Sequence, residues 1–386
     1  MSSLKNQMNN LASERPAWVE IDLDQLRTNF DIIRRDMPAG LGFVSVVKDE
    51  AYGHGMVQVA RTALQFGATA IALATVDEAL QLRQNQVYAP ILVFGERTEE
   101  ELEICVTQNF TCFINDRRKA EKLSRLAKSA GKRMPIHVEV DTGLSRYGVK
   151  WSEAPAVIVS IAGKKHLHIE GVMSHFAMSD ELDKTFALQQ LERFRQVMAD
   201  LQELGIEFKY RHMCNTGGFL DLPQAHFDLV RIGILPLGVY PSQVCRRIRG
   251  LLPIMTVKTK IAAITEIEAG DYIGYGMRYQ AAERRRIAVL PVGYGDGFPR
   301  VRNQGEVLIC DKRAPVVGGN AMDATMVDVT DIPQAQVWNE VVLMGKQGDE
   351  EIDVHEIARL QGTVSYHALT GWRSRLPRIY LGEAQS

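Results

Sequence analysis

The sequence predicts an α/β + β protein, with an N-terminal (β/α)8 TIM barrel followed by a mostly-β domain. Between residues 41 and 235, eight short apolar runs alternate with segments of helical apolar spacing, which is the pattern of a parallel barrel. From about Thr256, short β-like pieces follow one another with Gly, Asp and Pro between them, which indicates the second domain. A doubly wound parallel sheet is the alternative for the first domain, because periodicity alone does not establish closure.

The predicted barrel strands are separated by helices with recognisable ends. Asp116 and Ser152 lie where helix N-caps belong, and Gly131 and Gly205 lie where helices end. The predicted helices include Val76–Leu82, Asp116–Ala130 and Asp183–Leu204. The predicted strands are Leu41–Val47, Ala70–Val76, Pro90–Phe94, Phe110–Ile114, Pro135–Asp141, Leu167–Ser174, Glu207–Met213 and Asp228–Leu235.

The second domain is predicted to follow a connecting segment, Pro241–Pro253. We expect a barrel over residues 15–250 and a β domain over residues 251–386, with residues 1–14 associating with the β domain. The predicted strands of this domain are Val257–Ile264, Ile287–Val292, Gly305–Ile309, Ala314–Val317, Met326–Val329 and Glu340–Met344.

Composition excludes several classes of protein. The 45 basic and 47 acidic residues leave a formal charge of −2, which offers no bulk attraction to nucleic acid or to an anionic membrane surface. Five cysteines without CxxC spacing favour free thiols in a reducing compartment over a disulfide framework or a structural zinc site. Because no signal peptide or membrane-length apolar run is present, we expect a cytoplasmic protein without a metal site.

Polar residues follow the predicted barrel strands at the ends where barrel active sites lie. Lys48 follows the first strand, Arg146 the fifth and His175 the sixth, and Arg231 lies in the eighth. A lysine that ends a hydrophobic strand is a candidate Schiff-base former, because burial lowers the pKa of its amine. Each residue alone has a structural explanation, such as an exposed charge or an ion-pair member, but their common location favours a site.

A second feature follows the seventh strand. Thr216 and the two glycines after it offer a hydroxyl and backbone N–H groups with no side chain in the way, which resembles a small phosphate cradle. The amides of Gly233 and Ile234 in the neighbouring loop would add donors. No GxGxxG pattern follows an early strand, so a dinucleotide is not expected.

Short blocks along the chain carry a family resemblance. They are Val46–Gly55, Asp141–Arg146, Ser174–Phe176, His212–Gly217, Val230–Gly233, Tyr275–Gly276, Gly293–Gly297, Met322–Asp323 and Leu376–Arg378. In this order they resemble the motifs of the alanine racemase family, from about Trp18 to Tyr380. The resemblance implies a pyridoxal-phosphate-dependent racemase of a small amino acid, alanine first, with a barrel and a β domain.

The resemblance also implies a role for individual residues. Lys48 would bind pyridoxal phosphate covalently, and Arg146 would face its phenolic oxygen and contact the substrate. Met322 and Asp323 would be further substrate-binding residues. The remaining cofactor-binding positions would be Tyr52, His175, Asn215, Thr216, Arg231, Gly233, Ile234 and Tyr366.

Racemisation requires two bases on opposite faces of a planar carbon, and the resemblance assigns them to Lys48 and Tyr275. A tyrosine with a reference pKa near ~10 acts as a base at neutral pH only if its phenolate is stabilised. In the family, a chain through the positions of His175 and Arg231 does this. Tyr275, Met322 and Asp323 would come from a partner subunit, so a homodimer with shared active sites is implied.

Arg231 separates this reading from two alternatives. Because arginine cannot act as an ordinary base, it disfavours a protonated cofactor ring, whereas barrel-type amino-acid decarboxylases place a glutamate there. Non-catalytic carriers of the cofactor are usually single barrels without a β domain. The implied role is the supply of D-alanine for bacterial cell-wall precursors.

The chain departs from the family pattern at several positions. Asp49 and Glu50 replace small or amide residues after Lys48, and Glu139 replaces a lysine that becomes carbamylated in many members. We hypothesise that Glu139 supplies the negative charge that holds Arg146. Gly319 replaces an arginine at the substrate entrance, so a broader-specificity enzyme or a serine racemase is the alternative function.

Overall fold

A computed structural model describes residues 15–382 of the chain, so the prediction for residues 1–14 lies outside the described residues. The chain divides into two compact units. The first, here called the barrel unit, comprises residues 27–51 and 55–251. The second, here called the β unit, comprises residues 15–26, 52–54 and 252–382 of the described chain.

The strands alternate with helices in the first part of the chain and dominate the second part. The strands are β1 (Ala17–Asp22), β2 (Gly42–Val46), β3 (Ala70–Leu73), β4 (Ile91–Val93), β5 (Thr111–Phe113), β6 (Met134–Asp141), β7 (Val149–Lys150), β8 (Leu167–Met173), β9 (Tyr210–His212), β10 (Leu229–Ile232), β11 (Met255–Lys260), β12 (Ala263–Ile267), β13 (Tyr272–Ile273), β14 (Tyr279–Gln280), β15 (Arg285–Leu290), β16 (Glu306–Ile309), β17 (Lys312–Pro315), β18 (Thr325–Asp328), β19 (Glu340–Gln347), β20 (Glu350–Ile352) and β21 (Arg378–Leu381). The helices are α1 (Leu23–Asp36), α2 (Lys48–Gly53), α3 (Met56–Gln65), α4 (Val76–Gln84), α5 (Glu99–Gln108), α6 (Arg117–Ser129), α7 (Ala154–Ala162), α8 (Thr185–Glu203), α9 (Thr216–Asp221), α10 (Val354–Gln361) and α11 (Ser365–Thr370). Short 3-10 turns cover Pro223–Ala225, Leu235–Leu237 and Tyr275–Met277.

The barrel unit is a closed parallel sheet. Its strands pair in the order β2, β3, β4, β5, β6, β8, β9 and β10, and β10 pairs back with β2. Short central strands such as β3 and β4 are buried along their whole length, as expected when helices cover a parallel sheet. The predicted (β/α)8 barrel is therefore confirmed, and all eight predicted strands are present.

Three of the four predicted helix ends are confirmed. The Asp116 carboxylate accepts a hydrogen bond from the backbone N–H of Lys119 at 2.7 Å, and Gly131 and Gly205 adopt φ values of 66° and 68° just beyond helix ends. The Ser152 prediction is wrong. Helix α7 begins at Ala154 and has no side-chain cap. The proline in its first turn has no N–H group, so one of the donors that a cap would satisfy is absent.

The β unit contains a seven-stranded sheet, a three-stranded sheet and a two-stranded sheet. Strand β1 lies within the range predicted for the barrel, but it pairs antiparallel with β11 and parallel with β21. Its residues alternate between buried and half-buried, which suits a sheet covered on one face. The predicted strand Val257–Ile264 is divided between β11 and β12, and helices α10 and α11 were not predicted.

All five cysteines are free thiols. Within residues 15–382, no helix has both the length and the apolar character needed to cross a membrane.

Candidate active site

Lys48 lies at the C-terminal end of β2, where α2 begins as a single left-handed turn. The four residues 49–52 have φ values between 51° and 56°, a conformation that costs L-amino acids roughly 1–2 kcal/mol per residue. The Ala51 N–H donates to the Val47 carbonyl at 2.9 Å, and the Gly55 N–H donates to the Glu50 carbonyl at 2.8 Å. Such strain persists only where surrounding contacts hold it, and it concentrates at functional sites.

The Glu78 carboxylate ties this turn to the start of α4. One oxygen accepts from the Asp49 N–H at 2.6 Å, and the other accepts from the N–H groups of Ala74 and Thr75 at 2.9 and 3.0 Å. The Glu50 carboxylate instead accepts from the Met56 N–H at 3.2 Å. Of the two carboxylates that depart from the family pattern, that of Glu50 is therefore held by the backbone at the start of α3.

Burial lowers the pKa of the Lys48 amine, and the positive charge of Arg146 lowers it further. The carboxylates of Glu78 and Asp49 oppose this shift. The net effect raises the neutral, nucleophilic fraction of the amine.

Arg231 on β10 is 2% exposed and forms the centre of a polar cluster inside the barrel. Its guanidinium bonds to Nδ1 of His212 and Nδ1 of His175, each at 3.0 Å. It also donates to the carbonyls of Ser174 and Met213 at 2.9 and 3.1 Å. Burial lowers its pKa to about 10, so it stays charged near neutral pH. Because arginine only donates hydrogen bonds, both imidazoles must accept at Nδ1.

The two histidines are neutral, because burial and the charge of Arg231 hold the pKa of His175 well below its usual range, as burial, His137 and Arg231 do for His212. Each therefore carries its proton on Nε2. His212 Nε2 lies 2.8 Å from Nδ1 of His137, whose own Nε2 lies 3.8 Å from the Glu170 carboxylate. For His175, the bond that Arg231 donates to Nδ1 leaves the proton on Nε2, so His175 is a donor there.

The cluster depends on a glycine in the neighbouring strand. A Cβ at Gly171 on β8 would lie 2.7 Å from the His137 ring, which is closer than real side chains approach. The imidazole therefore fits only because β8 carries no side chain there.

Glu139 on β6 and Arg146 in the following loop lie close to this cluster. Glu139 is 4% exposed, and burial raises the pKa of its carboxyl while the charges of Arg146 and Arg231 lower it. The loop is shaped by Asp141, whose Oδ1 accepts from the N–H groups of Gly143 and Ser145 at 2.9 and 3.0 Å. The buried Glu139 carboxylate therefore lies within electrostatic range of two guanidinium groups.

The residues of the predicted phosphate cradle lie where β9 and β10 end. Oδ1 of Asn215 accepts from the Gly218 N–H at 2.9 Å and from the Ser179 hydroxyl at 2.7 Å. The Gly233 N–H donates to Oγ1 of Thr216 at 3.5 Å. Ile234, the next residue, is fully buried. The structure therefore brings a hydroxyl, an amide side chain and backbone donors together at this end of the barrel.

The other predicted site residues belong to the β unit. The rings of Tyr52 and Tyr366 meet edge to face with centroids 5.9 Å apart. Tyr275 begins a 3-10 turn and is 74% exposed, Met322 is 56% exposed, and Asp323 is exposed. A Cβ at Gly319 would lie 3.3 Å from the Tyr275 carbonyl, so Gly319 lies directly beside the predicted second base.

Sequence reasoning assigned no role to His137, His212 or Glu78. A signal was present for the first: His137 and Glu139 alternate with valines along β6, so polar side chains share one face of an otherwise apolar strand. In a barrel strand, that face points either to the helices or to the interior, and the spacing cannot decide between them.

The chain was compared with known families, proteins and structures. Residues 21–241 match the N-terminal domain of alanine racemase, and residues 254–380 match its C-terminal domain. The alanine racemase of Halothermothrix orenii is 37% identical over 367 residues, which cover 95% of this chain and 97% of that protein.

Two solved structures are similarly close. The alanine racemase of Clostridium difficile 630 superposes with a TM-score of 0.91 at 32% identity, covering 95% of this chain and 96% of that one. The Bacillus anthracis alanine racemase with bound L-Ala-P gives a TM-score of 0.88 at 34% identity and covers 96% of both chains. Matches that span both domains in order, at these identities, show that the chain belongs to the alanine racemase family.

Proposed function

We propose that this protein is a pyridoxal-phosphate-dependent amino-acid racemase that interconverts L- and D-alanine. The observation that carries the proposal is the arrangement at the C-terminal end of the barrel. There, a lysine with a lowered pKa accompanies a buried arginine bonded to two neutral histidines. The alanine racemases that this chain resembles over 95% of its length support alanine as the substrate.

The residues present fit the cofactor by the chemistry of their donors. Lys48 offers an amine, Arg146 and Arg231 offer two positive charges, and Thr216 and Gly233 offer a hydroxyl and an N–H group within 3.5 Å of each other. This set suits a small aldehyde that carries a phosphate and a phenolate oxygen. The cofactor-binding residues would be Lys48, Tyr52, Arg146, His175, Asn215, Thr216, Arg231, Gly233, Ile234 and Tyr366.

When bound, pyridoxal phosphate supplies an aldehyde that condenses with an amine and a conjugated ring that makes the α-proton acidic. Lys48 then removes or returns that proton on one face of the α-carbon. Arg231, which can only donate, would keep a ring nitrogen placed against it unprotonated. The residue would thereby disfavour decarboxylase and transaminase side reactions.

Tyr275 of a partner subunit would serve the other face, so we propose a homodimer with shared sites. Tyr275, Met277 and Met322 expose 74%, 61% and 56% of their surface on the β unit. Tyr275 and Met277 lie in one 3-10 turn, and contiguous exposed apolar surface is typical of interaction sites. His175, which is a donor at Nε2, would stabilise the phenolate. Arg146 and the partner's Met322 and Asp323 would contact the substrate.

Two finer proposals accompany this one. A cytoplasmic supply of D-alanine for bacterial cell-wall precursors is the role that family membership supports. A broader substrate range that includes serine is supported by Gly319, which has no side chain of its own and lies beside the Tyr275 backbone.

The test is to incubate the purified protein and pyridoxal phosphate with single enantiomers of about twenty amino acids, and to score the products by chiral chromatography. We expect inversion of alanine in both directions, with serine as the next best substrate. Protein that binds the cofactor through Lys48, seen by its absorbance, but inverts no amino acid would disprove the racemase proposal. Release of CO2 would indicate the decarboxylase alternative.

A further inference from the structure

Gln190 is a buried polar residue on α8 with no role in the proposed mechanism. It is fully buried and makes three hydrogen bonds to two loops that carry predicted site residues. Its Oε1 accepts from the Ala177 N–H at 2.9 Å. Its Nε2 donates to the His175 carbonyl at 3.0 Å and to Oγ1 of Thr142 at 3.2 Å.

The orientation of the amide is fixed by its partners. The Ala177 N–H can only donate and the His175 carbonyl can only accept, so the oxygen and nitrogen of Gln190 cannot exchange places. A flipped amide would set two donors against each other on one side and two acceptors on the other.

The amide also sets the direction of a chain of hydroxyl groups. Oγ of Ser174 donates to the Val140 carbonyl at 2.7 Å, so its contact with Oγ1 of Thr142 at 2.7 Å must be one that it accepts. The Thr142 hydroxyl therefore donates its proton to Ser174 and accepts from Gln190. One chain of donors thus runs from α8 through the β6 loop to Ser174, just after β8, and ends at the Val140 carbonyl on β6.

Ser174, the last donor of this chain, lies beside Arg231. The backbone carbonyl of Ser174 accepts from the Arg231 guanidinium at 2.9 Å, and the adjacent His175 accepts from the same group at 3.0 Å. Thr142 begins the loop that leads to Arg146, and one helical turn after Gln190 the Arg193 guanidinium donates to the Thr142 carbonyl at 2.7 Å. Helix α8 therefore holds both loops through buried bonds.

We propose that Gln190 is a positioning residue of the active site, whose amide holds the loops of His175 and Arg146 in a single geometry. The proposal rests on the proposed racemase function. A displacement of about 1 Å in a catalytic group can cost about 100-fold in rate. The loss of a buried amide that satisfies three partners would allow such a displacement.

The test compares Gln190→Met, which has a similar length but no amide, with Gln196→Met. Gln196 lies exposed on the same helix, and its amide donates to Asp200 at 2.8 Å. We expect kcat/KM to fall by about 10- to 100-fold in Gln190→Met and to stay unchanged in Gln196→Met. Gln190→Glu preserves the shape of the side chain but cannot make both donations, so its kcat/KM should fall to a similar extent. This second variant tests the proposal if Gln190→Met does not fold.

The pH dependence of the rate distinguishes a positioning role of Gln190 from a purely structural one. His175 faces the charges of Arg231 from β10, Arg146 from the β6 loop and Lys48 from the turn after β2, and with burial these lower its pKa. A loosened loop admits water, so the pKa of His175 rises towards its usual range. Protonation then breaks the bond to Arg231 at a higher pH, and the acid limb of the rate profile shifts upward.

The same rise in the pKa of His175 is measurable without activity, by NMR titration of histidine-labelled protein. An unchanged acid limb and an unchanged His175 titration in folded Gln190→Met would overturn the inference. If the wild-type protein racemises nothing, the proposed function fails, and the titration still decides whether Gln190 positions His175.

Discussion

Glu139 is a residue whose buried charge is proposed to serve the site while it lowers the stability of the folded protein. Its carboxylate is 4% exposed, and its pKa is raised by burial in spite of Arg146 and Arg231 nearby. A raised folded-state pKa means that the charged form is disfavoured in the folded protein. Wild-type stability therefore falls as the pH rises from the ordinary glutamate range through the raised pKa.

We predict that Glu139→Gln lacks this loss of stability and binds pyridoxal phosphate less tightly, because Arg146 and Arg231 lose a counter-charge. Chemical denaturation between pH 4 and pH 8 measures the first effect, and titration of apoprotein with the cofactor measures the second. Wild-type cofactor affinity and wild-type turnover in this variant would refute the hypothesis that Glu139 holds Arg146.

The sequence predicted which polar residues follow a strand. It did not predict the hydrogen-bond partners of these residues that come from other strands. Lys48, Arg146 and His175 could be placed at strand ends from the apolar pattern alone. The partners of Arg231 lie on β9 or in the loops after β8 and β9, so no local pattern joins them. Gln190 lies in a helical pattern, and there a buried polar residue cannot be distinguished from an interruption of the apolar face.

At the scale of elements, α2 is the part of the fold that local preference opposes. Left-handed φ values in four consecutive non-glycine residues conflict with the intrinsic preference of L-amino acids. Hydrogen bonds to Glu78 and Val47 hold this left-handed turn. The turn thereby places Lys48 at the C-terminal end of the barrel.

We predict that Asp49→Val lowers the free energy of unfolding by roughly 1–2 kcal/mol relative to Asp49→Gly, because a β-branched residue fits positive φ worst and glycine fits it best. Asp49 is exposed, and both changes remove the same carboxylate, so the difference isolates the backbone. Thermal or urea unfolding of the two variants provides the measurement. Equal stability would mean that the turn is not left-handed in solution.

The elements also show which local signals are reliable. The caps at Asp116, Gly131 and Gly205 were predicted because each satisfies backbone groups with its own side chain or its own φ. Ser152 failed because Pro155 and the residues before it favour a start two residues later. The short helices α10 and α11 escaped notice among strand-like segments, since six to eight residues give too few turns for a periodic pattern.

At the scale of the whole molecule, the proposed homodimer can be tested by mixing two inactive variants. If each site combines Lys48 of one chain with Tyr275 of the other, a dimer of Lys48→Ala and Tyr275→Phe chains contains one intact site. Random reassociation makes half of the dimers mixed, so about a quarter of wild-type activity returns. The measurement is racemase activity after co-refolding, with each variant refolded alone as the control.

No recovery in a mixture that has demonstrably formed mixed dimers would show that each site is built within one chain. Recovery well above the expected fraction would show that one of the two variants is not inactive.

The sequence alone determined the alternation of strands and helices, the β domain after it, the family resemblance and the positions of Lys48, Arg146 and His175 after strand ends. These follow from local periodicity and from motifs, because apolar alternation records which faces are buried. The tertiary structure decided that the barrel closes between β10 and β2, that β1 joins the β unit, and that Arg231, two histidines and Gln190 form one cluster. Those facts depend on hydrogen bonds between residues far apart in the chain, whose partners are chosen only when the strands come together.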